Sequence, residues 1–197
     1  MPKSPKSQKS HKKQVRVLSS RWVFRGPVFG VTSDVVVEPS GVKARRDTVR
    51  HQGSVVVLAV DGADGCEPRV LLERQYRYPA NDYLWELPAG RIDEGEAALA
   101  AAKRELLEET GYTAQHWERA LFFYASPGFC DETMTIYQAC GLKRGAAQPE
   151  EDEVISKRLF PLSAALRMVH TGTIRDGKTI AGLFWLQQQQ EREKARR

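Results

Sequence analysis

Three glutamates, Glu105, Glu108 and Glu109, stand at i, i+3 and i+4, a spacing that sets side chains on one helix face within about 100° of arc. Carboxylates placed side by side repel one another and raise each other's pKa. A hard divalent cation removes the conflict. Oxygen donors in this number suit Mg²⁺ or Mn²⁺, which tend to be shared with the phosphates of a substrate. By itself an E-x-x-E-E segment also reads as an acidic face turned to water, so the neighbouring residues decide. Arg104, next to that face, can hold a ligand glutamate through a bidentate pair. Gly90 is expected to let the chain turn sharply out of the preceding strand. Ala98, Leu99, Ala102 and Leu106 form the adjoining stripe, expected to face the core.

The wider segment "AGRIDEGEAALAAAKRELLEETGY" runs from Ala89 to Tyr112. Gly90, Glu96, Arg104, Glu105, Glu108, Glu109 and Gly111 occupy every fixed position of the Nudix box, G-x5-E-x7-R-E-U-x-E-E-x-G-U. At ordinary residue usage such a coincidence arises in roughly one window in 10⁸ to 10⁹. Tyr112 stands where the pattern more often has an aliphatic residue, and an aromatic fills the same core slot. The chain thus resembles the Nudix hydrolases, which cleave a nucleoside diphosphate linked to another group. The resemblance implies an α+β Nudix fold, a mixed β-sheet sandwiched between α-helices, here with an N-terminal antiparallel β extension. Glu105 and Glu109 are expected to be the principal metal ligands, with Glu108 and the Ala89 carbonyl contributing.

Residues outside the box narrow the resemblance. "RQYRYP", "WELPAGRIDEGE" and "SPGFCDE" are similar to the ADP-ribose pyrophosphatase branch, as is the late "IRDGKTIAGLFWL". A proline sixteen residues beyond the last box glycine marks that branch, and Pro127 stands sixteen beyond Gly111. The resemblance implies hydrolysis of ADP-ribose, or another ADP-sugar, to AMP and a sugar phosphate. It implies diphosphate contacts from Arg77 and Arg50, and substrate-facing roles for Glu86, Pro127, Gly128 and Glu132. Trp22 is a candidate to stack on adenine. The group that activates water is expected on an acidic loop, "AQPEEDEVISKRLFPL", at Glu153 with Glu151 second, and Arg104 completes the catalytic set. Same-fold and different-class alternatives are a nucleotide-pool sanitising pyrophosphatase and a non-catalytic ADP-ribose sensor.

These residues need elements to hold them. "SVVVLAV" and "RVLLERQYRY" read as strands across the turn "DGADGCEP". "YLWELPAG" reads as one further strand stopped by Pro88 and Gly90. A helix is expected from about Ala97 to Thr110, ended by Gly111. Strands follow at "ALFFYA", "MTIYQACGL" and "VISKRLF", then helices from Ser163 to His170 and from about Lys178. Two or three short antiparallel strands are expected between Arg21 and Val49. The division expected is a disordered basic tail over 1–16, a β segment over 17–52 and the hydrolase domain over 53–197. The β segment is too small to bury its own apolar face, which points to a homodimer.

Composition closes off other classes. The net charge of +5 is located in the tail: residues 1–16 carry five Lys, one Arg and no acid, which leaves the remainder near −1. The basic balance therefore argues a solubilising arm rather than nucleic-acid binding. Three scattered cysteines without C-x-x-C spacing fit free thiols and argue against zinc. No apolar run reaches the ~18 residues of a membrane span. No secretory pattern follows the basic N-terminus, so a cytoplasmic location is expected.

Overall fold

The computed structural model describes residues 14–62, 66–145 and 156–196. The chain forms two compact units: the N-terminal segment to His51 with Ser126–Asp131, and Gln52–Ala125 with the remainder from Glu132.

The first unit is an antiparallel sheet of β1 (Arg16–Arg25), β2 (Gly30–Val37) and β3 (Lys43–Arg50), with β2 central. β2 alternates buried and half-buried residues, as a strand with one covered face must. β1 is exposed along its whole length and is kinked by irregularities between Val17 and Ser19 and between Trp22 and Phe24. Ser126–Asp131 is fastened along β3 by Val49 N–H donating to Phe129 (2.8 Å) and Asp131 N–H donating to Val49 (3.0 Å).

The second unit carries the other elements. They are β4 (Ser54–Asp61), β5 (Arg69–Arg77), a 3₁₀ turn at Tyr78–Ala80, β6 (Asp82–Glu86) and β7 (Ala89–Arg91). After these come α1 (Ala98–Thr110), β8 (Tyr112–Thr113), β9 (His116–Tyr124), β10 (Thr133–Cys140) and β11 (Lys143–Arg144). β12 (Ser156–Pro161), α2 (Leu162–His170) and α3 (Gly177–Arg196) complete it. The main sheet runs β12-β5-β4-β10-β9, with β10 parallel to β4 and the other pairs antiparallel. β11 and β8 form a separate two-stranded ribbon. The sheet is mixed and helices lie on both faces, the α+β sandwich expected.

Near-continuous apolar runs make β4 and the first half of β5 buried on both faces. Val55, Val57, Ala59 and Leu71 pack with Ala101, Ala102 and Leu106 of α1. Val56, Leu58, Val70, Leu72 and Ile136 pack with Leu162 and Ala165 of α2 and with Leu183 and Leu186 of α3. Each large side chain so buried contributes about 1.5–3 kcal/mol, which holds α1 rigidly on the sheet.

Two expectations are revised. "YLWELPAG" is two strands, because the chain changes partner: β6 pairs with β5, and after Leu87 and Pro88 β7 pairs with β4. β4 and β5 themselves pair only at Val60–Val70 and Asp61–Arg69. The β6–β7 segment fills the opening as they diverge. On α1 the core stripe contains Ala101 rather than Leu99, which is exposed, because the buried face is rotated toward β7 and takes in Glu109. Among the described residues no helix is long and apolar enough to cross a membrane, and Cys66, Cys130 and Cys140 form no disulfide with one another.

Candidate active site

α1 begins without a side-chain cap and ends where Gly111 adopts φ +70° and donates its N–H to Leu107 (2.8 Å). That left-handed residue stops the helix one position past Thr110. The box glutamates are graded across the edge of the buried stripe. Glu109 is 5% exposed, and the side chains of Glu105 and Glu108 are 12% and 42% exposed. Glu109 accepts a hydrogen bond from Ala89 N–H at 3.1 Å, tying the helix to β7.

Gly90 serves a different purpose from the one expected. It lies within β7, opposite Val55, and its φ is not positive. A Cβ there would fall inside the Glu105 carboxylate. The glycine is needed for close approach of a charged group to the strand, not for a turn.

Arg104 organises the cluster. Its Nε and Nη2 donate to the two oxygens of Glu96 (3.1 and 3.0 Å), and Nη1 donates to Glu105 (2.7 Å) and Glu108 (3.1 Å). Nη2 also reaches the Arg91 carbonyl at 3.0 Å. One guanidinium therefore spans the loop before α1, the helix and β7, which a planar five-donor fork can do and an ammonium cannot. The Glu96 bond, and then those to Glu105 and Glu108, hold Arg104 still more firmly protonated against the opposing effect of burial. Reciprocally, the Arg104 fork holds the Glu96 carboxyl below its usual value.

A second ion-pair system lies where β5 meets β6. Arg77 donates from Nε and Nη2 to the two oxygens of Glu86 (2.9 and 3.0 Å). Glu86 is buried and also receives Lys178 Nζ of α3. Burial pushes the Glu86 carboxyl up, but the Arg77 bonds and the Lys178 charge outweigh it and hold the carboxyl below its usual value. Burial works against the Arg77 charge as well, and Glu86 more than restores it, with smaller attractions from Glu73 and Glu109.

Of the residues expected at the site, Ala89, Glu105, Glu108, Glu109 and Arg104 are brought together, and Arg77 and Glu86 form one pair. Glu132 accepts from Ser54 Oγ (2.8 Å) at the mouth of β4 and β10. In the first unit, Arg50 is a strut: Nε donates to Thr32 (3.0 Å), Nη1 to Asp131 (3.1 Å) and Nη2 to Asp34 (2.7 Å). Trp22 lies over Gly30, with the Arg25 guanidinium 4.7 Å from its ring centroid. Pro127 and Gly128 lie in a turn closed by Phe129 and Cys130 N–H groups donating to the Ser126 carbonyl (3.2 and 2.9 Å). Glu151 and Glu153 lie outside the described residues.

Sequence reasoning missed Lys178, Asp176 and Thr179. Thr179 Oγ1 accepts from Leu87 N–H (2.8 Å), and its own N–H and hydroxyl donate to Asp176 (2.9 and 2.6 Å). The signal was an Asp three residues ahead of a Thr at a helix start, the signature of an N-cap.

The donor chemistry fits a hard divalent cation: nearly buried carboxylates on adjacent turns lie against a backbone without a Cβ. Among the described residues no three acidic, His or Cys side chains are already gathered as a cage, and Arg104 occupies the carboxylates.

The NUDIX domain family matches residues 50–183. The ADP-ribose pyrophosphatase of Bacillus subtilis (strain 168) is 33% identical over 174 residues, covering 87% of this chain and 92% of that protein. The methanol dehydrogenase activator of Bacillus methanolicus is 36% identical over 177 residues, covering 89% and 94%. A crystal structure of an ADP compounds hydrolase superposes with a TM-score of 0.78 at 23% identity, covering 96% of this chain and 98% of that one, and speaks for the fold. With the box carboxylates assembled around Arg104 on a sandwich of this topology, the chain belongs to the Nudix hydrolases, on the branch that includes the ADP-ribose pyrophosphatases.

Proposed function

We propose that this protein hydrolyses ADP-ribose, and related ADP-sugars, to AMP and a sugar phosphate in the presence of Mg²⁺, with Mn²⁺ as a substitute. The observation that carries the reading is the intact, partly buried set Glu105, Glu108 and Glu109 clasped by Arg104. A non-catalytic sensor has no use for nearly buried carboxylates held so close to a bare backbone.

Glu105, Glu109, the Ala89 carbonyl and, more peripherally, Glu108 would hold the divalent cation, which when bound supplies Lewis acidity to the diphosphate and lowers the pKa of a bound water. The remaining work belongs to the chain. Arg104 keeps Glu105 and Glu108 oriented and offsets their mutual repulsion. Arg77, fixed by Glu86, presents positive charge to the diphosphate. One P–O bond of the phosphoanhydride breaks, the oxygen of water joins one phosphorus, and the bridging oxygen leaves with the other phosphate. Glu153, with Glu151 second, takes the proton of the attacking water.

Two further parts of the proposal concern assembly and place. Val17, Leu18, Trp22, Val23, Phe24 and Phe29 are each about half exposed on the N-terminal sheet, an apolar surface suited to a second copy of the chain. The protein acts in the cytoplasm as a homodimer. The name of the Bacillus methanolicus relative favours a second reading, modulation of a dehydrogenase, which the same hydrolysis could serve.

The experiment is a panel of ADP-ribose, ADP-sugars, GDP-sugars and oxidised nucleoside triphosphates with Mg²⁺, scored for nucleoside monophosphate release. AMP release fastest from ADP-ribose is expected. Preference for the triphosphates would overturn the proposal.

A further inference from the structure

We propose that Lys178 is a positioning residue for Arg77, acting through Glu86, so that the first turn of α3 sets affinity for the diphosphate. The inference rests on the reading of Arg77 as a diphosphate contact. Its own support is geometric. Arg77 and Glu86 form a two-bond fork whose plane is fixed only while both carboxylate oxygens accept (2.9 and 3.0 Å). Lys178 Nζ bonds one of those oxygens and lies 3.1 Å from Asp176 on its other side, with its side chain 10% exposed. The next residue, Thr179, grips the backbone of Leu87. The start of α3 therefore holds two consecutive residues, Glu86 and Leu87, at the point where the chain passes from β6 to β7.

The chemistry follows from burial. A buried carboxylate with one cation is poorly compensated, and breaking a buried pair is far costlier than its net contribution suggests. Among the described residues, the charged groups around Glu86 are Arg77 and its cross-strand neighbour Glu73 on β5, Lys157 of β12 opposite Glu73, Lys178 and Asp176 at α3, and Glu109 of α1 acting on Arg77. Without Lys178, Arg77 is the one cation bonded to Glu86, and with Lys157 opposite Glu73 two cations face four carboxylates. Glu86 then takes up a proton more readily, one oxygen becomes a donor, and the fork to Arg77 is lost. A guanidinium freed from its fork is drawn toward the acidic groups and away from the position in which it meets a phosphate.

The test compares full-length wild type, Lys178→Gln and Lys178→Arg for hydrolysis of ADP-ribose from mildly acid to mildly alkaline pH. Lys178→Gln is expected to raise KM roughly tenfold with kcat changed less than about threefold, the signature of lost uniform binding. Its KM climbs further as pH falls, whereas that of wild type stays flat and Lys178→Arg restores it. A purely structural lysine would lower the folded fraction without a pH-dependent KM. KM unchanged at every pH, or no rescue by Arg in a folded variant, overturns the proposal. Where Lys178→Gln yields too little folded protein, the double variant Glu86→Gln/Lys178→Gln, which removes the buried carboxylate at position 86 together with its cation, takes its place. KM equal to that of Glu86→Gln alone agrees with the brace, and a further rise contradicts it. Wild type that releases no AMP refutes the underlying functional reading and the brace with it. Wild type that is active, with KM unmoved in the variants, refutes the brace alone.

Discussion

Replacing Gly90 with alanine tests whether the box glycine exists for the sake of Glu105. The added methyl would overlap the Glu105 carboxylate. The backbone of α1 cannot retreat, because Ala101, Ala102 and Leu106 are fully buried against the sheet. The adjustment therefore falls on the Glu105 side chain. Driving it off its rotamer costs about 0.5–1.5 kcal/mol, and weakening its charged bond to Arg104 costs about 1.5 kcal/mol more. A total of roughly 2–3 kcal/mol lowers Tm by about 4–12 °C in a chain of this size. A displaced ligand should also raise the Mg²⁺ concentration for half-maximal activity by at least about tenfold. Calorimetric Tm and Mg²⁺-activation curves measure both. Gly177→Ala is the control, since a Cβ there meets nothing within 4 Å, and it should leave both unchanged. Gly90→Ala with wild-type Tm and wild-type Mg²⁺ dependence would refute the close-approach argument.

Arg104→Lys keeps the charge but cannot bond Glu96, Glu105, Glu108 and the Arg91 carbonyl at once, so the Mg²⁺ requirement should rise about 10–100-fold, checked by the same activation curves. Glu86 has a folded pKa below its usual value, so its contribution to stability is complete above the unfolded pKa and lost as pH falls through the lower folded one. Denaturant unfolding of Glu86→Gln should accordingly show a flatter acid limb below about pH 4.5 than wild type. Glu153→Gln should lower kcat by at least about 100-fold with KM changed little, and steady-state kinetics on ADP-ribose decide it. Unchanged kcat in Glu153→Gln and Glu151→Gln would move the base to the box glutamates.

The helix, its stop at Gly111 and the main strands were legible because periodicity and a left-handed terminator are local signals. β4 and β5 announced themselves as continuous Val and Leu runs. The break at Leu87 and Pro88 was not legible, since it follows from β4 and β5 diverging, a property of the sheet and not of the segment. The facing of α1 was misjudged for a related reason. A wheel gives the width of the apolar stripe, but Leu99 and Ala101 compete for it, and contact with β7 settles which one is covered. The box fixed which residues would assemble; it did not disclose that Gly90 serves Glu105, because approach distance leaves no trace in spacing. Lys178 was invisible because its partner Glu86 is 92 residues away. The resemblance implies a diphosphate contact from Arg50; that Thr32, Asp34 and Asp131 accept its hydrogen bonds is long-range pairing of a kind that cannot be read from a strand.

The most direct test of the central claim is AMP release from ADP-ribose by wild type and by Glu109→Gln at saturating Mg²⁺. Glu109 is the most buried box glutamate and is anchored to Ala89 N–H, a bond that glutamine, still an acceptor through its carbonyl oxygen, can keep. The variant should therefore fold, with Tm close to wild type, while kcat falls by several orders of magnitude, on the order of 10³ or more. Near-normal turnover in a folded Glu109→Gln would contradict the assignment of the helix carboxylates to the reaction.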